Sequence, residues 1–264
     1  MVYSVPMRPH VIDIKEFYDS RLGAISRRQI RLALRRLWPS TLGDVICGLG
    51  YATPYLGPFR EGAERVFAVM PAAQGGAPWP QDGPRRIAIA DETDLPFGDN
   101  SVDRMLLVHA VEHSDVLDEM LNEVWRVLRP EGRLVVVAPN RRGLWARAES
   151  TPFGQGRPFS ASQLSRLLRD VGFAPQSNTV ALFMPPSQSR VILRTAAMWR
   201  GVMRRIARPF GGVVMVEASK QVMAARPTRR GRRQRVFVPS REGAVAAPGA
   251  ARGAAREAVR QAQI

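Results

Sequence analysis

The sequence predicts an α/β fold in which a central sheet of seven strands carries helices on both faces. One observation is a strand–helix–strand unit, in which apolar strands at 105–108 and 134–138 flank an amphipathic helix that stops at 129–132, R-P-E-G. Proline cannot continue a helix, and the glycine after it is expected to take a positive φ. The other observation is a short apolar strand at 44–49 that runs into the turn G-L-G-Y-A at 48–52. Units of this kind are typical of sheets with parallel strands.

Hydrophobic periodicity places the remaining elements around these two units. Helices are predicted at 15–38, 55–64, 160–170 and 188–208, and further strands at 65–70, 86–90, 179–184 and 213–216, the last extending toward residue 222. Ser160 is the expected N-cap of the helix at 160–170, and Gly172 its stop. Residues 71–84 hold prolines and a glycine pair, so a loop is predicted there in place of the helix that would normally follow the second strand.

Composition divides the chain into three predicted parts: a helical segment at 1–43, an α/β domain at 44–226 and a basic tail at 227–264. The net charge is +16, and the basic surplus lies before residue 44 and after residue 189. The tail has few large apolar side chains, so it is expected to be disordered. The strong preference for Arg over Lys, with abundant Ala, Gly and Pro, indicates a GC-rich bacterial genome.

Several classes of protein are disfavoured by the sequence. No apolar run approaches the roughly 18 residues of a membrane span, and residues 1–10 lack the pattern of a signal peptide. The chain has one cysteine, Cys47, which excludes an intramolecular disulfide framework and a cysteine-based zinc site. A cytoplasmic protein is therefore expected.

Residues 90–139 closely resemble the later half of a class I S-adenosylmethionine-dependent methyltransferase domain, of the kind called type 11. The resemblance rests on the phrases L-P-F at 95–97, N-S-V-D at 100–103 and the strand–helix–R-P-E-G–strand order that follows. It implies a Rossmann-like seven-stranded methyltransferase sheet, S-adenosylmethionine as cofactor and methyl transfer as activity. The match is strong over 90–175 and weak over 44–84, where such a family binds its cofactor.

The glycine turn is one expected cofactor contact. The family carries three glycines at alternate positions, and the matching register here is Gly48, Gly50 and Ala52. Glycine lets backbone approach a ligand closely. A tight strand-to-helix turn without a ligand is the alternative.

Two further strand ends complete the expected cofactor site. The family's second strand ends in an acid that binds the ribose hydroxyls, but Met70 stands there, with Gln74 as a poor substitute. Losing such a contact costs about 1.5–3 kcal/mol, so binding no tighter than micromolar is expected. The resemblance places Asp91, with Glu92 beside it, at the adenine amine. A solvated acidic loop is the alternative reading.

His109 follows the fourth strand and is assigned to the cofactor site, with Glu112 and His113 after it. The order H-x-x-E-H resembles an inverted zincin motif, but no downstream acidic ligand helix is evident. Some quinone-pathway methyltransferases place a metal-binding Glu and His here, so a metal role stays open. We predict no metal, and a packed or capping role for His113.

The remaining functional features are weaker. The loop at 139–145, with Arg141, Arg142 and Trp145, could line a pocket for a small-molecule acceptor, or be a solvated loop with one core tryptophan. No catalytic residue is assigned. The alternative function is a catalytically inactive binding or scaffolding protein. The Arg-rich run at 229–235 leaves nucleic-acid binding open, although a solvated tail is the simpler interpretation.

Overall fold

The structure, a computed structural model, describes residues 8–189, 192 and 210–222. Five α-helices lie wholly within these residues: α1 Val11–Asp19, α2 Arg21–Leu37, α3 Thr53–Leu56, α4 Leu117–Val127 and α5 Ala161–Asp170. The strands are β1 Val45–Gly50, β2 Arg65–Pro71, β3 Ile87–Ala90, β4 Val102–Val108, β5 Leu128–Pro139, β6 Phe173–Ala181 and β7 Val213–Lys220. None of the described helices is long and apolar enough to cross a membrane.

The seven strands form one sheet in the order β3-β2-β1-β4-β5-β7-β6. The first five strands run parallel, and β7 pairs antiparallel with both β5 and β6. The chain goes from β1 outward to β2 and β3, and then returns to place β4 on the other side of β1. This order has a switch point between β1 and β4, which is where open α/β sheets bind ligands. The predicted fold class is confirmed.

Buried apolar side chains form two groups, one on each face of the sheet. Helix α1 contributes Ile14 to one group, and α4 contributes Met120 to the other. Along β4, Leu106 belongs to the first group and its neighbour Met105 to the second. Successive side chains of a strand point to opposite faces, so both faces of β4 are covered. The prediction of helices on both faces is therefore confirmed.

The prediction of one continuous helix at 15–38 was wrong at its N-terminal end. The chain forms two helices that meet at Ser20, and α1 begins earlier, at Val11. Ser20 Oγ accepts a hydrogen bond from the Gly23 amide at 3.0 Å and donates to the Phe17 carbonyl at 2.6 Å. One serine therefore caps α2 and satisfies a carbonyl at the end of α1, and its extended backbone breaks the helix.

The loop predicted after β2 is confirmed. Apart from a 3-10 turn at Ala72–Gln74, the described residues between β2 and β3 hold no helix. Strand β3 is at the edge of the sheet, and its Ile89 is 57 % exposed. The loop reaches this side chain, since a Cβ on Gly76 would lie 2.5 Å from Ile89 Cδ1, but it leaves more than half of Ile89 exposed.

Other element boundaries differ from the predicted ones. The positive φ after α4 belongs to Glu131 (62°) and not to Gly132. Strand β5 begins at Leu128, directly after the helix. The sixth strand lies at 173–181, not 179–184, and Leu182 after it has a φ of 67°. The helix after β1 ends at Leu56 and is followed by a 3-10 turn. The predicted helix at 188–208 and the tail at 227–264 fall almost entirely outside the described residues.

Ser160 begins α5 with the predicted cap, reinforced by a reciprocal bond. Its Oγ accepts from the Gln163 amide at 3.2 Å, and Gln163 Oε1 accepts from the Ser160 amide at 3.0 Å. We expect Ser160→Ala to lower the free energy of unfolding by about 1 kcal/mol, and Ser160→Gly by only a few tenths. Urea denaturation measures both, and equal stability of Ser160→Ala and the wild type would contradict the cap.

Candidate functional site

The carboxyl ends of four neighbouring strands bring the predicted cofactor residues to one edge of the sheet. Gly50 of β1 pairs with Val108 of β4, and Met70 lies one residue beyond the last pair of β1 with β2. Asp91 and His109 follow directly after β3 and β4. Parallel strands end on the same side of a sheet, so the four residues predicted from sequence converge there.

The glycines of the turn are required by the protein's own packing. A Cβ on Gly48 would lie 2.6 Å from the Ala52 Cβ, so the glycine lets α3 pack tightly on β1. Gly50 has a φ of 82°, and a Cβ there would lie 2.3 Å from the Val108 carbonyl oxygen. Ala52 is fully buried. The alternative of a tight strand-to-helix turn thus explains both glycines, and contact with a ligand needs support from other residues.

The end of β2 carries two buried side chains that matter for ribose binding. Met70 is fully buried, and its Sδ accepts a hydrogen bond from the Ala77 amide at 3.3 Å. Gln74 is also fully buried, and neither its Oε1 nor its Nε2 has a hydrogen-bond partner among the described residues. An unpaired buried amide costs roughly 1–3 kcal/mol. Such a group is a strong candidate for contact with a polar ligand.

Asp91 and Glu92, adjacent in sequence, have different environments. Asp91 is exposed, and its Oδ1 accepts from the amide and the hydroxyl of Thr93, each at 2.8 Å. These bonds lower the pKa of the Asp91 carboxyl. No described residue donates to its Oδ2, which remains an acceptor. Glu92 is buried, and its two oxygens accept from Arg8 at 2.5 Å and Ser114 at 2.6 Å. In this conformation Glu92 anchors the N-terminal segment.

His109 lies in a chain of buried polar groups. Its Nε2 is 2.8 Å from the Tyr18 hydroxyl, which in turn is 2.7 Å from the Tyr55 hydroxyl. Its Nδ1 is 3.3 Å from Glu112 Oε1. The backbone of His109 has a φ of 52°, in the left-handed region that non-glycine residues seldom adopt. His109 is completely buried. The Tyr18 hydroxyl lies against its Nε2 and occupies the place from which a ligand would reach that nitrogen.

The ionisation of this region follows from its burial. Burial alone would raise the pKa of the Glu112 carboxyl, but the contact with His109 outweighs it, so the pKa is lowered. Burial lowers the pKa of His113 to about 4. Burial also raises the pKa of Tyr18 well above its usual value. At neutral pH the region therefore holds a buried carboxylate, a neutral His113 and a protonated phenol.

The N-terminal segment at 8–19 covers this edge of the sheet, which sequence analysis did not anticipate. The ring of Tyr18 stacks on Tyr51 of the glycine turn, with centroids 5.8 Å apart and planes inclined by 19°. A sequence signal for α1 does exist, since Val11, Ile14 and Tyr18 recur at helical spacing and are all buried. No local pattern indicates, however, that the helix would lie on the cofactor residues.

The loop at 139–145 does not form the predicted pocket of arginines and tryptophan. Arg141 and Arg142 are exposed. Trp145 is buried, and its Nε1 donates to the Met184 carbonyl at 2.6 Å. The alternative of a solvated loop with one core tryptophan describes this conformation.

Comparison with known proteins shows which family the chain resembles. A family model described as a methyltransferase domain matches residues 43–136. A probable S-adenosylmethionine-dependent methyltransferase of Mycobacterium tuberculosis is 31 % identical over 153 residues, which are 55 % of this chain and 54 % of that protein. These matches support a place for this chain in the class I S-adenosylmethionine-dependent methyltransferase family. The chloroplastic tocopherol O-methyltransferase of Arabidopsis thaliana is 25 % identical over 60 % of this chain and 51 % of its own length. The chain thus spans about half the length of these curated relatives.

Solved structures show the same fold. A methyltransferase from Thermotoga maritima aligns with a TM-score of 0.55 and 17 % identity, covering 80 % of this chain and 96 % of its own. A methyltransferase from Archaeoglobus fulgidus aligns with a TM-score of 0.52 and 18 % identity, covering 78 % and 99 %. The seven-stranded sheet of this chain is therefore shared with proteins of very different sequence.

The residues at the sheet edge fit S-adenosylmethionine, the cofactor of the family, with one replacement. Met70 offers no acceptor for the ribose hydroxyls, since its sulfur already accepts from the loop. The amide of Gln74, buried and unpaired close by in sequence, provides one acceptor and one donor. Asp91 retains a carboxylate oxygen for the adenine amine. The fit therefore depends on Gln74 where the family has an acid.

Gly50 should tolerate no side chain. We expect Gly50→Ala to lower the free energy of unfolding by more than the roughly 1–2 kcal/mol that a left-handed alanine costs, because its Cβ would also strike the Val108 carbonyl. Gly43→Ala is the matched control, since Gly43 has a φ of 76° and nothing lies within 4 Å of its Cβ position. Urea denaturation compares the two, and equal losses would rule out the close approach of the turn to β4.

Proposed function

We propose that this protein transfers a methyl group from S-adenosylmethionine to a small-molecule acceptor. The observation that carries the proposal is the buried, unpaired amide of Gln74 at the sheet edge where Gly50 and Asp91 also lie. The bound cofactor supplies an electrophilic methyl group, which passes from the sulfonium sulfur to a nucleophilic atom of the acceptor. The protein's part is to hold the two reactants in line and to exclude water.

Three groups of this chain would hold the cofactor. The Gly50 turn has no side chain and lets backbone approach the ligand. Gln74 accepts from one ribose hydroxyl through Oε1 and donates to the other through Nε2. The Oδ2 of Asp91 accepts from the adenine amine, while its Oδ1 is fixed by Thr93. The neutral contacts of Gln74 are weaker than those of a carboxylate, which is consistent with modest affinity.

The acceptor would lie between His109 and the N-terminal segment. Tyr18 and Tyr51 stack there, and the ring of Phe153 lies 4.9 Å from that of His109. These side chains are buried, so an acceptor reaches His109 only when α1 moves away. A wall of aromatic rings favours an acceptor with an apolar or aromatic body and keeps water from the transferred methyl group.

Three sequence predictions remain untested. The inactive binding or scaffolding alternative rests on Met70 and on the missing second helix. Nucleic-acid binding by the basic tail concerns residues outside those described. The cytoplasmic location likewise stays a prediction.

Cofactor binding tests the proposal directly. We expect Asp91→Asn to weaken S-adenosylmethionine binding about 10- to 100-fold, because it removes a charge-assisted hydrogen bond worth about 1.5–3 kcal/mol. Asp94→Asn is the matched control, an equally exposed acid of the same loop. Isothermal titration calorimetry of the full chain measures the affinities. A wild type that binds neither S-adenosylmethionine nor S-adenosylhomocysteine at millimolar concentration would refute the proposal and favour the scaffold.

Gln74 gives a second test, in which affinity and stability change in opposite directions. Gln74→Met keeps the approximate volume and removes two unpaired polar atoms, so the free protein should be as stable as the wild type or more stable. Cofactor affinity should fall about tenfold, since the ribose contacts are lost. Thermal unfolding without ligand and calorimetry with ligand give the two values. A loss of stability with unchanged affinity would show that Gln74 is only a structural residue.

A further inference from the structure

A compact group of metal-ligating side chains lies beside the proposed cofactor site. His109 follows β4, and Glu112 and His113 lie in the turn after it, so this cluster is H-x-x-E-H in sequence. One ligand atom from each of the three residues lies within 4.8 Å of the others. The three residues are 0 %, 1 % and 3 % exposed, so bulk solvent does not reach them.

The cluster is poorly satisfied by the protein around it. Within the described residues, no hydrogen-bond partner exists for His109 Nδ1, for Glu112 Oε2 or for either ring nitrogen of His113. The 3.3 Å contact between His109 Nδ1 and Glu112 Oε1 lacks hydrogen-bond geometry. Unpaired buried polar atoms are rare in native proteins, and four in one cluster point to an absent partner.

The hydrogen bond of His109 to Tyr18 shows what kind of partner is needed. When Nε2–H donates to the Tyr18 hydroxyl at 2.8 Å, Nδ1 carries a lone pair that faces the Glu112 carboxylate. A proton shared by these two atoms would make a hydrogen bond between His109 and Glu112. Glu112 Oε2 and the ring nitrogens of His113 would still have no hydrogen-bond partner among the described residues. A single divalent cation would bind one atom of each of the three side chains.

We propose that His109, Glu112 and His113 bind a divalent transition-metal ion. Two imidazoles and one carboxylate suit Zn²⁺ and similar ions, whereas Mg²⁺ prefers oxygen ligands. The ligand atoms of a tetrahedral Zn²⁺ site with bonds of about 2.1 Å lie roughly 3.4 Å apart, so side chains whose ligand atoms are now within 4.8 Å of one another would close in by up to about 1.4 Å. Three protein ligands leave a fourth position for water.

The surroundings of the cluster support such a site. A metal-binding histidine commonly donates its other ring N–H to a neighbouring group that fixes its orientation, and Tyr18 takes that place for His109. Gly156 lies directly over the cluster, since a Cβ there would be 2.7 Å from Glu112 Cγ and 2.8 Å from His113 Cε1. Glycine therefore lets the loop seal the site from solvent.

Metal titration of the full chain tests the proposal without cofactor or acceptor, so its outcome is independent of the proposed function. The protein is dialysed against a chelator and titrated with Zn²⁺ and separately with Mg²⁺ by calorimetry. We expect one Zn²⁺ per chain and Mg²⁺ binding at least about 100-fold weaker. His113→Gln and Glu112→Gln should weaken Zn²⁺ binding by about 100-fold or more, and Tyr18→Phe by about 10- to 100-fold.

The matched control is His10→Asn, because His10 is exposed and is the chain's remaining histidine. It should bind Zn²⁺ like the wild type. Circular dichroism of the metal-free variants shows whether each is folded. If His113→Gln fails to fold, Glu112→Gln still tests the site, because glutamine has nearly the same shape as glutamate. The proposal is overturned if the wild type binds no Zn²⁺. That result is expected if a buried water molecule, and not a metal ion, is the partner of the cluster. Unchanged Zn²⁺ affinity in folded Glu112→Gln would also overturn it.

Discussion

The close approach of the β1 turn to the end of β4 is the constraint on which the site depends. The Tyr51 amide donates to the Val108 carbonyl at 2.8 Å, and Gly50 must be a glycine for the turn to come so near. His109, the next residue after Val108, takes a left-handed backbone conformation that costs of order 1–3 kcal/mol. Strain of this kind persists only where the surrounding structure enforces it, and here β1 and β4 are both central strands with buried neighbours on either side.

A buried polar chain connects that constraint to the N-terminal segment. Tyr55, Tyr18 and His109 join α3, α1 and the end of β4 through hydrogen bonds of 2.7 and 2.8 Å. Hydrogen bonds in a low-dielectric interior are strong when every partner is present and costly when one is missing. The same segment is held at its other end by the ion pair of Arg8 with Glu92. Helix α1 is thus attached at two points to the edge where ligands of this fold bind.

The loop after β2 has a different effect on the site. Without a helix there, the chain folds back so that the Ala77 amide reaches the Met70 sulfur. Met70 is a buried apolar side chain, and it stands where the family has the acid that binds the ribose. The adjoining 3-10 turn instead buries Gln74. The lost acid, the loop in place of a helix and the unpaired amide thus lie together after β2.

Elements with local signals could be predicted from the amino-acid sequence. Hydrophobic periodicity located all seven strands, although β6 was placed several residues too late, and proline and glycine identified the loop after β2. Ser160 and Gly172 marked the ends of α5, because capping involves only residues within one turn. The convergence of Gly50, Asp91 and His109 also followed from the order of the elements, since parallel strands end at one edge.

Which of these residues are available to a ligand depends on the packing of elements that are distant in sequence. Tyr18 and His109 are 91 positions apart and Arg8 and Glu92 are 84 apart, and no local pattern encodes such pairs. Glu92 and Asp91 are neighbours in sequence, yet one is buried in an ion pair and the other is exposed. Likewise Ser20 broke a helix that periodicity alone made continuous. Burial and pairing are set by which elements pack together, and that packing depends on contacts between distant parts of the chain.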